Sequence, residues 1–91
     1  MKKALRLYIT GSLQSLFFRN FIKENADKYN VKGFIRIRED GKIEIFLEGQ
    51  MQDVEAMATI CKRGPKYAII RDVQEKPEHF QDFKDFKILK F

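Results

Sequence analysis

The sequence predicts an α+β sandwich, two helices packed on one face of an antiparallel sheet, in the order βαββαβ with a short final strand. Three observations predict it. Several segments alternate apolar and polar residues, as half-buried strands do. Two others repeat apolar residues at i, i+3, i+4 and i+7, the spacing of a helix with one buried stripe. Gly, Asp and Pro separate the segments at the expected intervals. Ninety-one residues suffice for one two-layer core but not for two, so residues 1–91 are read as a single domain.

The first strand spans Ala4–Thr10, with Leu5, Leu7 and Ile9 on the buried side and Arg6, Tyr8 and Thr10 on the open side. Because the loop after it must lie within the crevice of the sheet, this strand is expected between two others. Phe18, Phe21, Ile22, Ala26 and Tyr29 then recur at helical spacing, predicting a helix over residues 18–30. In the second strand Val31, Gly33, Ile35 and Ile37 share one parity, and Lys32, Phe34, Arg36 and Arg38 the other. Glu39-Asp40-Gly41-Lys42 is a hairpin turn with glycine where a positive φ is expected. The third strand places Ile43, Ile45 and Leu47 inward and Glu44, Phe46 and Glu48 outward before Gly49 ends it. Val54, Met57, Ala58 and Cys61 mark a second helix near residues 52–63, stopped by Gly64-Pro65. A fourth strand is expected over Tyr67–Glu75 and a fifth over Phe83–Lys90, with the polar loop Lys76–Asp82 between them. This arrangement is the ferredoxin-like α/β sandwich. Unrelated activities share it, so function must come from the residues of a site.

With 44% apolar and 34% charged residues, the chain reads as globular. No apolar run approaches the roughly 20 residues that span a bilayer. Met1–Arg6 carries basic residues without a long apolar region or cleavage site, so no secretory signal is expected and the cytoplasm is the default location. The single cysteine, Cys61, excludes an internal disulfide and a cysteine-rich metal site, and its place on the apolar stripe predicts a core residue. His79 falls in a polar loop without spaced carboxylate or cysteine partners, which predicts a solvated side chain rather than a metal ligand. A net charge of +5 favours anionic partners.

The stretch that concentrates chemistry is Gly11-Ser12-Leu13-Gln14-Ser15-Leu16-Phe17-Phe18-Arg19. A strand that turns into a helix N-terminus exposes several free backbone N–H groups beside the positive end of the helix dipole, which is an anion site. Arg19, read here in the first helical turn, could close on the same anion with its planar fork. The alternative is a plain strand–loop–helix link with a solvated arginine.

The stretch resembles the acylphosphatase signature G-x-V-Q-G-[VI]-x-F-R, matched by Gly11, Leu13, Gln14, Leu16, Phe18 and Arg19, with Ser15 in place of the second glycine. A second family block, G-[WF]-[VI]-x-N followed by a D-G turn, is matched by Gly33, Phe34, Ile35 and Asp40-Gly41, with Ile37 at the asparagine. Glu48-Gly49, Arg63-Gly64-Pro65 and Phe86-Lys87-Ile88 resemble later landmarks in the same order, so the resemblance covers essentially the whole chain. It implies the ferredoxin-like fold and hydrolysis of the carboxyl–phosphate bond of small acyl phosphates without a cofactor or metal. By position, Arg19 inherits phosphate binding together with the backbone amides of Ser15, Leu16, Phe17, Phe18 and Arg19. Ile37 cannot inherit the water-orienting role of the asparagine, because its side chain neither donates nor accepts a hydrogen bond. Its parity with Ile35 instead lets it extend the core. Ser15 is the other departure: a glycine there can take backbone angles closed to serine, while a serine hydroxyl can cap the helix. Asn20 and Asn30 are the nearby amides that could replace the missing asparagine.

A monomer acting on a small phosphorylated substrate or inorganic phosphate is therefore expected, with weak or no turnover. The alternative is a non-catalytic anion- or RNA-binding module. Tyr8, Phe34 and Phe46, set among Arg6, Lys32, Arg36 and Arg38 on the open sheet face, would stack nucleic-acid bases.

Overall fold

A computed structural model describes residues 1–90. The expected parity is observed along β1 (Lys2–Ser12), where Leu5, Leu7 and Ile9 are buried and Arg6, Tyr8 and Thr10 partly exposed. It is followed by α1 (Ser15–Lys28), β2 (Lys32–Ile37), β3 (Ile43–Gln50), α2 (Met51–Arg63), β4 (Ile69–Pro77) and β5 (Phe86–Ile88). The strands form one sheet in the order β4-β1-β3-β2-β5, so β1 is interior, as its loop requires. Phe18, Ile22 and Ala26 of α1 and Val54, Met57, Ala58 and Cys61 of α2 cover the inward row and close a single core. Among the described residues no helix is long and apolar enough to cross a membrane.

The sheet is mixed rather than antiparallel. Four strands pair antiparallel, but β5 runs parallel to β2, with Gly33 opposite Phe86 and Ile35 opposite Ile88. The register explains this. The fourth strand leaves the sheet at Pro77, opposite Leu5, at the end where β2 begins with Lys32 opposite Glu48. After crossing to the far edge, the chain can only run back in the direction of β2.

That crossing, residues 78–85, also corrects the reading of the open face. The Glu78 N–H donates to the Ala4 carbonyl at 3.1 Å, and the Gly33 N–H donates to the Asp85 carbonyl at 3.0 Å. Between these points the Glu48 carboxylate accepts from the backbone N–H groups of Gln81 (2.6 Å) and Phe83. Phe83 packs edge-on against Phe34 and Phe46, with ring centroids at 5.8 and 5.3 Å. Glu44, Phe46 and Glu48, expected to face outward, are therefore at most 3% exposed. Glu44 is held between the guanidinium groups of Arg6 and Arg36. The expected fifth strand, residues 83–90, shrinks to Phe86–Ile88, because Phe83 is engaged in covering the sheet.

Glu48 is fully buried and anchors a crossover with no helix or strand of its own. An amide side chain in its place would turn one N–H against another. Glu48→Gln should lower stability by about 2 kcal/mol, read as an earlier urea midpoint.

Candidate active site

The loop after β1 is shaped by close backbone approach. The pairing of β1 with β4 shifts register between Thr10 and Gly11, setting Gly11 opposite Ile70 and Ser12 opposite Ile69. A Cβ on Gly11 would lie 2.2 Å from the Ile69 carbonyl oxygen, a contact no side chain can occupy. Arg71 Nη2 donates to Ser12 Oγ at 2.8 Å and ties the loop to the same strand. Gly11→Ala should cost about 2 kcal/mol in chemical denaturation, because β4 must move to admit the methyl group.

Leu13 packs against the core, and Gln14 is the N-cap of α1, making no side-chain capping bond. The helix begins three residues before Phe18. Leu16 and Phe17 are 62% and 68% exposed, so they contribute nothing to the buried stripe from which the start was read. Ser15 is thus the first helical residue rather than the cap. It is absent from the residues with positive φ, so its backbone does not require glycine. The first intrahelical bond runs from the Phe18 N–H to the Gln14 carbonyl at 2.9 Å. The N–H groups of Ser15, Leu16 and Phe17 precede it and have no helical acceptor. Those of Phe18 and Arg19 have helical acceptors.

Arg19 consequently lies in the second turn rather than the first. Its side chain leans back toward the helix start, as helical side chains do, and Nε donates to the Ser15 carbonyl at 3.3 Å. It is half-buried, and among the described residues no carboxylate lies within ion-pair distance of it. One turn further along the same flank, Lys23 Nζ donates to the Phe86 carbonyl at 2.9 Å, so this flank faces β5 and, beside it, β2.

Ile37 ends β2 at the same end of the sheet as the loop. It pairs with Ile43, which pairs with Ile9, in one row across three strands. At about 4.8 Å per strand its backbone is roughly 10 Å from Ile9. Its half-buried side chain shares the helix-side face and packs against the rim of the core.

The acylphosphatase sequence profile matches residues 5–88. The chain belongs to the acylphosphatase family. It is 40% identical over 85 residues to an acylphosphatase of Pyrobaculum islandicum, covering 91% of this chain and 90% of that one. It is 32% identical over 90 residues to one of Syntrophus aciditrophicus, covering 98% and 94%. The structure superposes on the crystal structure of acylphosphatase from Bacillus subtilis with a TM-score of 0.88 at 26% identity, covering 98% of this chain and 99% of that one. It also superposes on full-length HypF in its phosphate- and nucleotide-bound form, with a TM-score of 0.87 at 32% identity, covering 98% of this chain but 12% of HypF.

Within this acylphosphatase fold the two candidate substitute amides lie at different places along α1. Asn30 follows the C-terminus of α1 with φ of 57°, about 20 Å along the helix from Ser15. Asn20 is exposed and lines a groove beside Pro65, Tyr67 and Ala68. His79 is exposed, and the described residues contain no cluster of three or more potential metal ligands. Cys61 is fully buried, and burial pushes its thiol up, well out of the reactive range. On the other sheet face, Phe46 is sealed beneath Phe83 and the Arg6 guanidinium, so the three-aromatic platform expected for base stacking is not formed. Residue spacing pointed neither to the Glu48 anchor nor to the groove beside Asn20, since both depend on segments distant in sequence.

Proposed function

We propose that this chain binds phosphate and small acyl phosphates at the Gly11–Arg19 loop and hydrolyses the carboxyl–phosphate bond weakly or not at all. The observation that carries the binding half is Arg19. It is an arginine with no carboxylate partner among the described residues, folded back over a helix start whose first three N–H groups lack acceptors. Such a group complements a phosphate, with amides and helix dipole on one side and a guanidinium fork on the other.

Hydrolysis needs a water oxygen to bond to phosphorus while the bond from phosphorus to the acyl oxygen breaks and the water loses a proton. The departing carboxylate is stable as an anion at neutral pH, so it needs no general acid. What the protein can supply is neutralisation of phosphoryl charge, from Arg19 and the amides, and placement of the water. Membership in the family implies an asparagine for the second task. Ile37 occupies that position, Asn30 lies about 20 Å along the helix from Ser15, and Asn20 is exposed at the groove beside Tyr67.

Binding is tested by titrating inorganic phosphate while recording backbone amide resonances. The signals of Ser15 to Asn20 should move first, and Arg19→Ala should remove that response with the remaining spectrum unchanged. Shifts spread evenly over the basic surface would contradict the site.

A further inference from the structure

One feature beside the loop takes no part in holding the phosphate. A groove of about 620 Å³ runs along α1 between Phe17, Phe21 and Glu24 and the segment carrying Pro65, Tyr67 and Ala68. Its volume falls within the roughly 300–1,000 Å³ of small-molecule sites. Its rim holds two of the chain's largest exposed apolar groups, Phe17 at 68% and Tyr67 at 83%. An apolar surface left open next to a polar loop marks a binding surface more often than scattered single residues do.

We propose that this groove is the acyl subsite, and that the ligand it takes is an uncharged aromatic or medium-chain acyl group carried on the phosphate. The inference rests on phosphate binding at the loop, and three observations support it. First, Phe17 joins the two places: its N–H is one of the three free donors at the helix start, and its ring lines the groove. A phosphate held at the loop therefore has its substituent delivered to the groove mouth. Second, the groove lies on the correct side for displacement. Phe17 is about 160° around the helix from Arg19, whose flank faces β2, where Ile37 occupies the water-orienting position. Attacking and leaving oxygens lie roughly in line through phosphorus, so a water arriving from the Ile37 side expels its leaving group toward the groove. Third, the groove selects by charge and length. From Phe17 to Glu24 it extends about 10 Å along the helix, room for an aromatic ring or a medium acyl chain. The Glu24 carboxylate at its far end is exposed and forms no ion pair among the described residues, so an acidic tail is repelled there.

Stable phosphonates separate the subsite from the phosphate site. Inorganic phosphate, methylphosphonate and phenylphosphonate are titrated against the wild-type chain and Tyr67→Ala, with affinity and amide shifts recorded. Tyr67 is so exposed that its truncation leaves the core untouched. Phenylphosphonate should bind about tenfold more tightly than methylphosphonate and should additionally shift the amides of Phe21, Tyr67 and Ala68. Tyr67→Ala should remove most of the preference while leaving methylphosphonate affinity unchanged. Equal affinity for the two phosphonates, or a preference with no shift at Tyr67 and Ala68, would overturn the acyl subsite and leave phosphate binding standing. If none of the three probes moves the Ser15–Phe17 amides, phosphate binding at the loop fails and the subsite fails with it.

Discussion

Replacing Ile37 with asparagine should raise turnover of a small acyl phosphate on the order of 10²-fold while changing its affinity little. The side chain at this position ends β2, faces the helix layer and stands at the loop end of the sheet, in the row Ile9–Ile43–Ile37. Isoleucine there contributes packing at the rim of the core and no hydrogen bond. An asparagine offers both a donor and an acceptor, enough to hold a water with a lone pair of its oxygen directed at phosphorus. Fixing that water matters in the transition state and not in ground-state binding, so the gain belongs in kcat rather than KM. The exchange removes apolar contact from a half-buried site, at an expected cost of about 1 kcal/mol in stability, so the variant remains folded for the assay. Converting Ser15 to glycine in addition should bring little. Ser15 lies in ordinary helical backbone, and the loop's demand for glycine is met at Gly11.

The second large effect belongs to Arg19. Truncation to alanine deletes up to two charge-assisted hydrogen bonds to phosphate and should weaken its binding by about 10- to 100-fold in calorimetry. The fold should survive, because the side chain's hydrogen bond within the described residues is a single one to the Ser15 carbonyl at 3.3 Å. Lysine should restore only part of the loss, since an ammonium keeps the charge but not the planar fork. Recovery of full affinity by Arg19→Lys would mean that the group acts as a point charge.

Much of this was legible from residue order. The parity of Leu5, Leu7 and Ile9 and the stripe Val54–Met57–Ala58–Cys61 identified the buried faces of β1 and α2, because a half-buried element writes its period into its own residues. The strand–loop–helix course of residues 4–28 was legible from residue order, whereas the match of Gly11, Gln14 and Arg19 to a signature and the departure at Ile37 came only through the family resemblance. Three things were hidden, each for a physical reason. The start of α1 leaves no apolar stripe, because Ser15, Leu16 and Phe17 are helical without being buried. The parallel edge strand depends on where the chain leaves β4, a matter of register between distant segments. Glu44, Phe46 and Glu48 show the outward parity expected of them, yet the crossover 78–85 covers them. Alternation tells which side a residue faces and not what else in the chain will lie over it.

The site is proposed to bind phosphate without aiming a water. It is tested most directly by measuring, on one wild-type preparation, inhibition by inorganic phosphate and the rate of hydrolysis of a small acyl phosphate at saturation. Phosphate affinity should disappear with Arg19→Ala, and wild-type turnover should lie on the order of 10²-fold below that of Ile37→Asn. Brisk wild-type hydrolysis that requires Arg19 and gains nothing from Ile37→Asn would contradict it, and would mean that another group aims the water.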